Sequence, residues 1–254
     1  MAAALLKRDR TIVLVGLALV TLLSWAYMVY WGWDLQCVEL GARVGMRVPG
    51  VVGLGDAVML SVMWTVMMVA MMTPTAAPVL LAYNRVQRKR RRQHRPWVPT
   101  SVFLAGYLVA WAGYSLPAAG VQVLLHEFAL LSSPMAAATP ILGGVLLIVA
   151  GIFQFTPLKD QCLSHCRTPT QFLLSDWRDG RWGAFVMGLE HGWFCIGCCW
   201  ILMALMFVAG AMNLLWMAAI TVFVLLEKVA PKGDIVGRVG GVGMVAWGIW
   251  LVAG

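Results

Sequence analysis

Long apolar runs without charged residues alternate with short basic gaps along the whole chain. The uncharged runs cover residues 11–33, 57–82, 96–125, 128–158 and 192–226. Each is long enough for a helix that crosses a bilayer, which needs roughly 20 residues. The last run would be about 52 Å long as one straight helix, against about 30 Å of hydrocarbon, so it must turn back. The turn is predicted at Gly210 to Asn213, where turn-forming residues interrupt the run.

This pattern predicts an all-α protein, a polytopic bundle of seven transmembrane helices in a single integral membrane domain. The predicted spans are 11–33, 57–83, 98–125, 139–158, 182–209, 213–230 and 236–253. The last span is the weakest, because its many glycines lower its helix propensity. Six spans remain if this glycine-rich segment lies on the membrane surface, whereas close packing against another helix would favour a span.

Composition and charge agree with a membrane protein and orient it. Of the 254 residues, 61% are hydrophobic and 12% charged, which excludes a water-soluble domain. A cytoplasmic N-terminus places 17 of the 19 Lys and Arg residues inside, in agreement with the positive-inside rule. The net charge of +8 is thereby explained without a nucleic acid partner. The lipid bilayer is the expected surrounding, and the basic run 85–95 could also contact anionic lipid.

The fifth span carries the most informative polar residues. At about 100° per residue, His191, Cys198 and Cys199 all lie within about 60° of Cys195, on one narrow face of the helix. Thiolate and imidazole ligands select soft metals, so this face predicts a site for Cu(I) or, less favoured, Zn(II). The alternative is that buried cysteines simply pack as small apolar residues. Glu190 points away from this face and could serve a second site, a proton path or a helix contact.

A second group of candidate ligands follows the fourth span, in a predicted inner loop. Cys162, His165 and Cys166 would lie on one side of a helical turn. Thiols in the cytosol stay reduced, which favours metal binding or redox exchange over a disulfide. The spacing alone is also compatible with a chance arrangement.

The second span is rich in methionine and ends in two prolines. Met67 and Met71 are the candidate thioether ligands for Cu(I), although the methionines cover about half of the helix surface, which favours flexible packing. Pro74 and Pro78 lack an N–H donor, so a kink is predicted there. The break could present carbonyl oxygens or a hinge to the fifth span.

Glu227 lies near the inner end of the sixth span. A carboxylate in this position is expected to pair with Lys228 or to reach the membrane interface.

These segments carry a resemblance to a known family. The motifs are Met71-Met72-Thr73-Pro74, the stretch 156–169, and Glu190-His191-Gly192 followed by Cys195, Cys198 and Cys199. With them the chain resembles a bacterial family of predicted metal-binding integral membrane proteins whose function is unknown. The resemblance covers most of the chain and implies metal binding within the inner membrane. The positions it implies as ligands are His191, Cys195, Cys198, Cys199, Cys162, His165 and Cys166.

Three classes of function fit these features. The first is transport or transfer of a soft metal ion, most readily Cu(I), through an intramembrane Cys/His/Met site. The second is a membrane metalloenzyme or electron-transfer subunit with a fixed metal centre, in which Glu190 or Glu227 relays protons. The third is an assembly factor or structural subunit of a larger membrane complex. Protein partners or a homo-oligomer are compatible with all three, and the sequence assigns no catalysed reaction.

Overall fold

The computed structural model describes residues 2–36, 54–128, 139–210 and 213–253, and all of their regular secondary structure is helical. The helices are α1 (Ala2–Gln36), α2 (Leu54–Met72), α3 (Ala77–Arg92), α4 (Thr100–Glu127), α5 (Pro140–Phe153), α6 (Pro157–Arg167), α7 (Pro169–Ser175), α8 (Gly180–Ala204), α9 (Leu214–Val229) and α10 (Gly233–Ala253). Short 3₁₀ turns at Pro74–Ala76 and Leu205–Phe207 extend α2 and α8. The all-α prediction is confirmed for this part of the chain.

Within the part of the chain that the structure describes, four helical stretches are long and apolar enough to cross a membrane. They are Thr11–Tyr30, Thr100–Leu125, Gly180–Phe207 and Gly233–Ala253. The number rises to six if two bent pairs each count as one span, namely Ala57–Met72 with Pro74–Arg92 and Pro140–Phe153 with Pro157–Arg167. The predicted sixth span corresponds to α9, whose 16 residues fall short of the roughly 20 that a perpendicular span needs. The described residues therefore hold four to six candidate spans, which is compatible with a membrane protein.

The kink predicted in the second span is present. The helix axis bends by 42° between Ala57–Met72 and Pro74–Arg92. Pro74 leaves the Ala70 carbonyl without its helical donor, and the indole N–H of Trp25 donates to this oxygen at 3.1 Å. The bend is tolerated because the freed backbone acceptor is paired inside the protein.

The predicted inner loop after the fourth span is helical, which corrects the sequence-based prediction. The chain bends by 67° between α5 and α6, and α6 then packs along α8. Pro157 occupies the first turn of α6, and the Thr156 side chain accepts the Lys159 backbone N–H at 3.4 Å. The prediction missed this helix because a short run of mixed polarity resembles a loop when its packing partner is unknown.

The turn predicted at residues 210–213 falls between the 3₁₀ turn Leu205–Phe207 and α9, and its residues 211 and 212 lie outside the described residues. Gly210 adopts a φ of +92°, a backbone conformation that favours glycine. Asn213 caps α9, and its side-chain oxygen accepts the Trp216 N–H at 3.0 Å.

Three close helix pairs organise the described part of the bundle. Helix α8 packs against both α4 and α6, and α10 packs against α5. Gly188 of α8 lies against the Phe103 carbonyl, and Gly106 of α4 lies against the Phe185 carbonyl. A Cβ at Gly151 of α5 would stand 2.6 Å from the Gly241 carbonyl of α10. The glycines of the last segment thus form a packing face on a continuous helix, as small residues do between membrane helices.

Replacing Gly188 with alanine is expected to destabilise the bundle by about 1–3 kcal/mol, since the added Cβ would displace the α4 backbone. The measurement is thermal unfolding of the purified protein in detergent. Gly113→Ala is the matched control, because its Cβ would meet nothing within 4 Å. An equal loss of stability in both variants would show that the α4–α8 crossing tolerates a larger separation.

Candidate metal site

Three cysteine side chains of α8 are buried on one face. Cys195, Cys198 and Cys199 are each no more than 1% exposed. The thiols of Cys198 and Cys199 donate to the Cys195 carbonyl at 3.1 and 2.9 Å, as residues one helical turn apart can. The single face inferred from the helical spacing is confirmed.

A fourth thiol reaches this face from α6. The Cys166 side chain is buried and lies close enough to the side chains of Cys195 and Cys198 to interact with them. Helix α6 can approach α8 closely because Gly197 has no side chain, and a Cβ there would lie 2.7 Å from the Cys162 Sγ. We call Cys166, Cys195, Cys198 and Cys199 the thiol cluster. The two candidate groups that the sequence separated are therefore joined in space through Cys166.

The remaining candidates of α6 lie on the rim of this cluster. Cys162 is half-buried beside Gly197. His165 is also half-buried and stacks on the Phe194 ring of α8, with ring centroids 4.0 Å apart and planes 6° apart. Cys162 and His165 are thus less buried than Cys166 on the same helix.

Lys228 and Tyr107, from two further helices, make polar contacts with Cys195. The Lys228 ammonium donates to Cys195 Sγ at 2.9 Å, and the Tyr107 hydroxyl lies 3.2 Å from the same sulfur. Lys228 also donates to Thr75 Oγ1 at 3.3 Å, and Tyr107 donates to the Met72 carbonyl at 3.0 Å. The kinked end of the second span therefore does face the fifth span, with Lys228 and Tyr107 between them.

His191 lies one turn before Cys195, within an aromatic pocket. It is 3% exposed, and the rings of Phe103, Tyr107 and Phe172 surround it at centroid distances of 5.5–6.2 Å. Its Nδ1 has no hydrogen-bond partner among the described residues. A buried imidazole nitrogen without a partner is costly, so this atom is suited to a ligand that the protein acquires.

The cluster is not a closed metal cage. Among the described side chains, no group of three or more His, Cys, Asp or Glu residues is arranged to hold a metal ion.

A family of copper chaperones, PpoB2, matches residues 61–251, about three quarters of the chain. The chain belongs to this family. No curated protein and no solved structure matches it.

Membership of the PpoB2 copper chaperone family tests the predicted association with a metal, but not the individual ligands. It supports the prediction of a metal-related family and of an association with copper. The match includes every residue of the thiol cluster as well as Tyr107, His191 and Lys228. The assignment of individual ligands stays a prediction.

The two methionine candidates lie in the core of this PpoB2 family member. Met67 and Met71 of α2 are fully buried within the apolar core, where flexible thioether side chains fill space well. Their role as copper ligands stays a prediction.

The two candidate glutamates form ion pairs. Glu190 of α8 is partly exposed and pairs with Arg178, which lies just before the start of this helix. In the same turn, the Trp177 indole N–H and the Arg90 guanidinium hold the pKa of Asp179 below its ordinary value.

The pairing predicted for Glu227 is wrong. Its carboxylate is 1% exposed and accepts from the Lys159 ammonium of α6 at 2.6 Å, neither pairing with Lys228 nor reaching the interface. Gln154 also accepts from Lys159. Glu227 therefore pairs with Lys159, whereas the next residue, Lys228, contacts the thiol cluster.

Sequence analysis missed Lys228, Tyr107 and Thr75 as parts of the site. Lys228 entered only as a basic residue that orients the chain and as a possible partner of Glu227, and Tyr107 and Thr75 were not singled out. The available signal was the position of Lys228 at the end of a long uncharged run, since a lysine within a span often serves a function.

Proposed function

We propose that this protein is a membrane-embedded copper chaperone that binds Cu(I) at the thiol cluster and releases it to an acceptor. The observation that carries the proposal is the meeting of Cys166 from α6 with Cys195 and Cys198 from α8 in a buried position. Soft thiolates favour Cu(I), and copper is the cargo of the protein. The family description supports the same metal.

The route of copper passes the rim of the cluster. Half-buried His165 and Cys162 supply exchangeable ligands between the surface and buried Cys166. His191, with its unpartnered Nδ1, supplies a further ligand on the α8 side. Ligands of graded exposure suit transfer, because an ion must bind well enough to enter and weakly enough to leave. Met67 and Met71 are proposed as secondary thioether ligands from α2.

The proposal includes a membrane topology. Seven spans with a cytoplasmic N-terminus in the bacterial inner membrane place the basic run 85–95 and helices α6 and α7 on the cytoplasmic side. Helix α9 would then cross as a short span of about 24 Å. In this arrangement Cys166 comes from the cytoplasmic helix α6, so exchange takes place with a cytoplasmic partner or with a pool of copper on that side.

Metal content and metal release test the proposal together. The reduced protein is purified in detergent, loaded with Cu(I), and analysed by plasma mass spectrometry before and after a challenge with a soluble Cu(I) chelator. We expect near-stoichiometric copper that the chelator removes within minutes, with the helical content unchanged. The Cys195→Ser/Cys199→Ser variant should bind much less copper.

The other outcomes identify the rival functions. Copper that stays bound through the challenge and changes its redox state would indicate a fixed centre in an enzyme or electron-transfer subunit. Weak copper binding together with a tightly co-purifying membrane protein would indicate an assembly or structural subunit. Absence of copper after loading would refute the proposal.

A further inference from the structure

Lys228 is a buried cation in direct contact with the thiol cluster. Its side chain is 6% exposed, and its ammonium lies 2.9 Å from Cys195 Sγ. It interacts electrostatically with all four thiols of the cluster. Thr75 is its second hydrogen-bond partner and carries no charge. A charged side chain is costly to bury and contributes little to apolar packing, so a buried lysine in a span indicates a function.

The positive charge of Lys228 faces the sulfurs and is not paired with the neighbouring carboxylate. Glu227, the adjacent carboxylate, accepts from Lys159 instead. Tyr107 of α4 and His191 of α8, which border the cluster, also interact electrostatically with Lys228. The positive charge of Lys228 is therefore directed at the position where thiolates would bind a metal.

The cluster suits two thiolate ligands better than four. The described side chains offer no group of three or more metal ligands in a suitable arrangement. One thiolate from each helix, Cys166 of α6 and Cys195 of α8, is enough for Cu(I), which is stable with two soft ligands. Zn(II) favours four ligands around it, which this arrangement does not supply.

Charge balance then distinguishes metals by their valence. Two thiolates with a monovalent ion carry one net negative charge, and Lys228 brings the centre to neutrality. The same thiolates with a divalent ion are already neutral, so Lys228 leaves an excess positive charge. An uncompensated charge is costly at a buried site, where the dielectric constant is low.

We propose that Lys228 makes the thiol cluster selective for monovalent soft cations over divalent ones. This inference rests on the proposed function, because it concerns the same site and the same cargo. It assigns Lys228 a role in specificity, with Cys166 and Cys195 as the ligands.

Competition between metals tests the inference in the full-length reduced protein. The probes are Cu(I) and Ag(I) as monovalent ions and Cd(II) and Zn(II) as divalent ions, each titrated against a chelator of known affinity. We expect Lys228→Met to lower the preference for Cu(I) over Cd(II) by at least about tenfold. Lys228→Arg, which keeps the charge, should restore most of this preference. Lys232→Met removes an exposed lysine nearby and should change nothing.

The outcomes separate this inference from the proposed function. An unchanged preference in Lys228→Met, with Cu(I) still bound, would overturn the role of Lys228 alone. Equal weakening for both classes of metal, without rescue by arginine, would show a merely structural role and also overturn it. If the wild-type protein binds no Cu(I), the proposed function itself fails. Lys228→Gln serves as the second neutral variant if Lys228→Met does not fold.

Discussion

Replacing Cys166 with serine is expected to lower the Cu(I) affinity of the purified protein by at least about a hundredfold. Cys166 is the thiol that α6 contributes to the buried cluster, where it contacts Cys195 and Cys198. A serine hydroxyl is a hard donor that cannot replace a soft thiolate for Cu(I). The measurement is a competitive titration with a Cu(I) chelator in detergent.

Cys162→Ser is the matched control on the same helix. Cys162 lies one turn earlier and only half-buried, against Gly197. Its loss should change the equilibrium affinity by less than about threefold, while slowing copper release if Cys162 lies on the exchange route. A large loss of affinity in Cys162→Ser with little effect of Cys166→Ser would place the metal at the rim and contradict the buried site.

Replacing Lys159 with methionine is expected to destabilise the protein by about 3–5 kcal/mol. The change leaves the Glu227 carboxylate buried without its ion-pair partner, and both side chains are only 2% exposed. The measurement is the free energy of unfolding, or the thermal midpoint, in a single detergent. Since the pair ties α6 to α9, the variant should also bind Cu(I) more weakly, because these helices carry Cys166 and Lys228.

The double variant Lys159→Met/Glu227→Met separates charge from packing. Removing both charges takes away the unpaired carboxylate, so most of the lost stability should return. Glu190→Gln is the control for a partly exposed pair, because Glu190 and Arg178 are accessible to solvent, and its effect should stay below about 1 kcal/mol. A double variant as unstable as Lys159→Met alone would show that the lysine stem, rather than its charge, supports the fold.

The apolar pattern determined the helical character of the protein and most of its helix positions. In lipid each backbone N–H and C=O group must be paired, and a helix pairs them within one segment. Long uncharged runs therefore indicate helices. Local signals were also sufficient for the kink at Pro74 and for the end of the helical run before Gly210. The α6 helix was missed because its stability comes from packing against α8, which a local pattern does not contain.

The sequence by itself determined the chemical character of the site, since helical periodicity places Cys195, Cys198 and Cys199 on one face and their softness favours copper. Only the tertiary structure decided which residues meet there. Cys195 contacts Tyr107 and Lys228 across separations of 88 and 33 residues. Periodicity relates residues within one helix, whereas the crossing of separate helices depends on which faces pack together. The pairing of Glu227 with Lys159 instead of the adjacent Lys228 has the same cause, because consecutive helical residues point in directions about 100° apart.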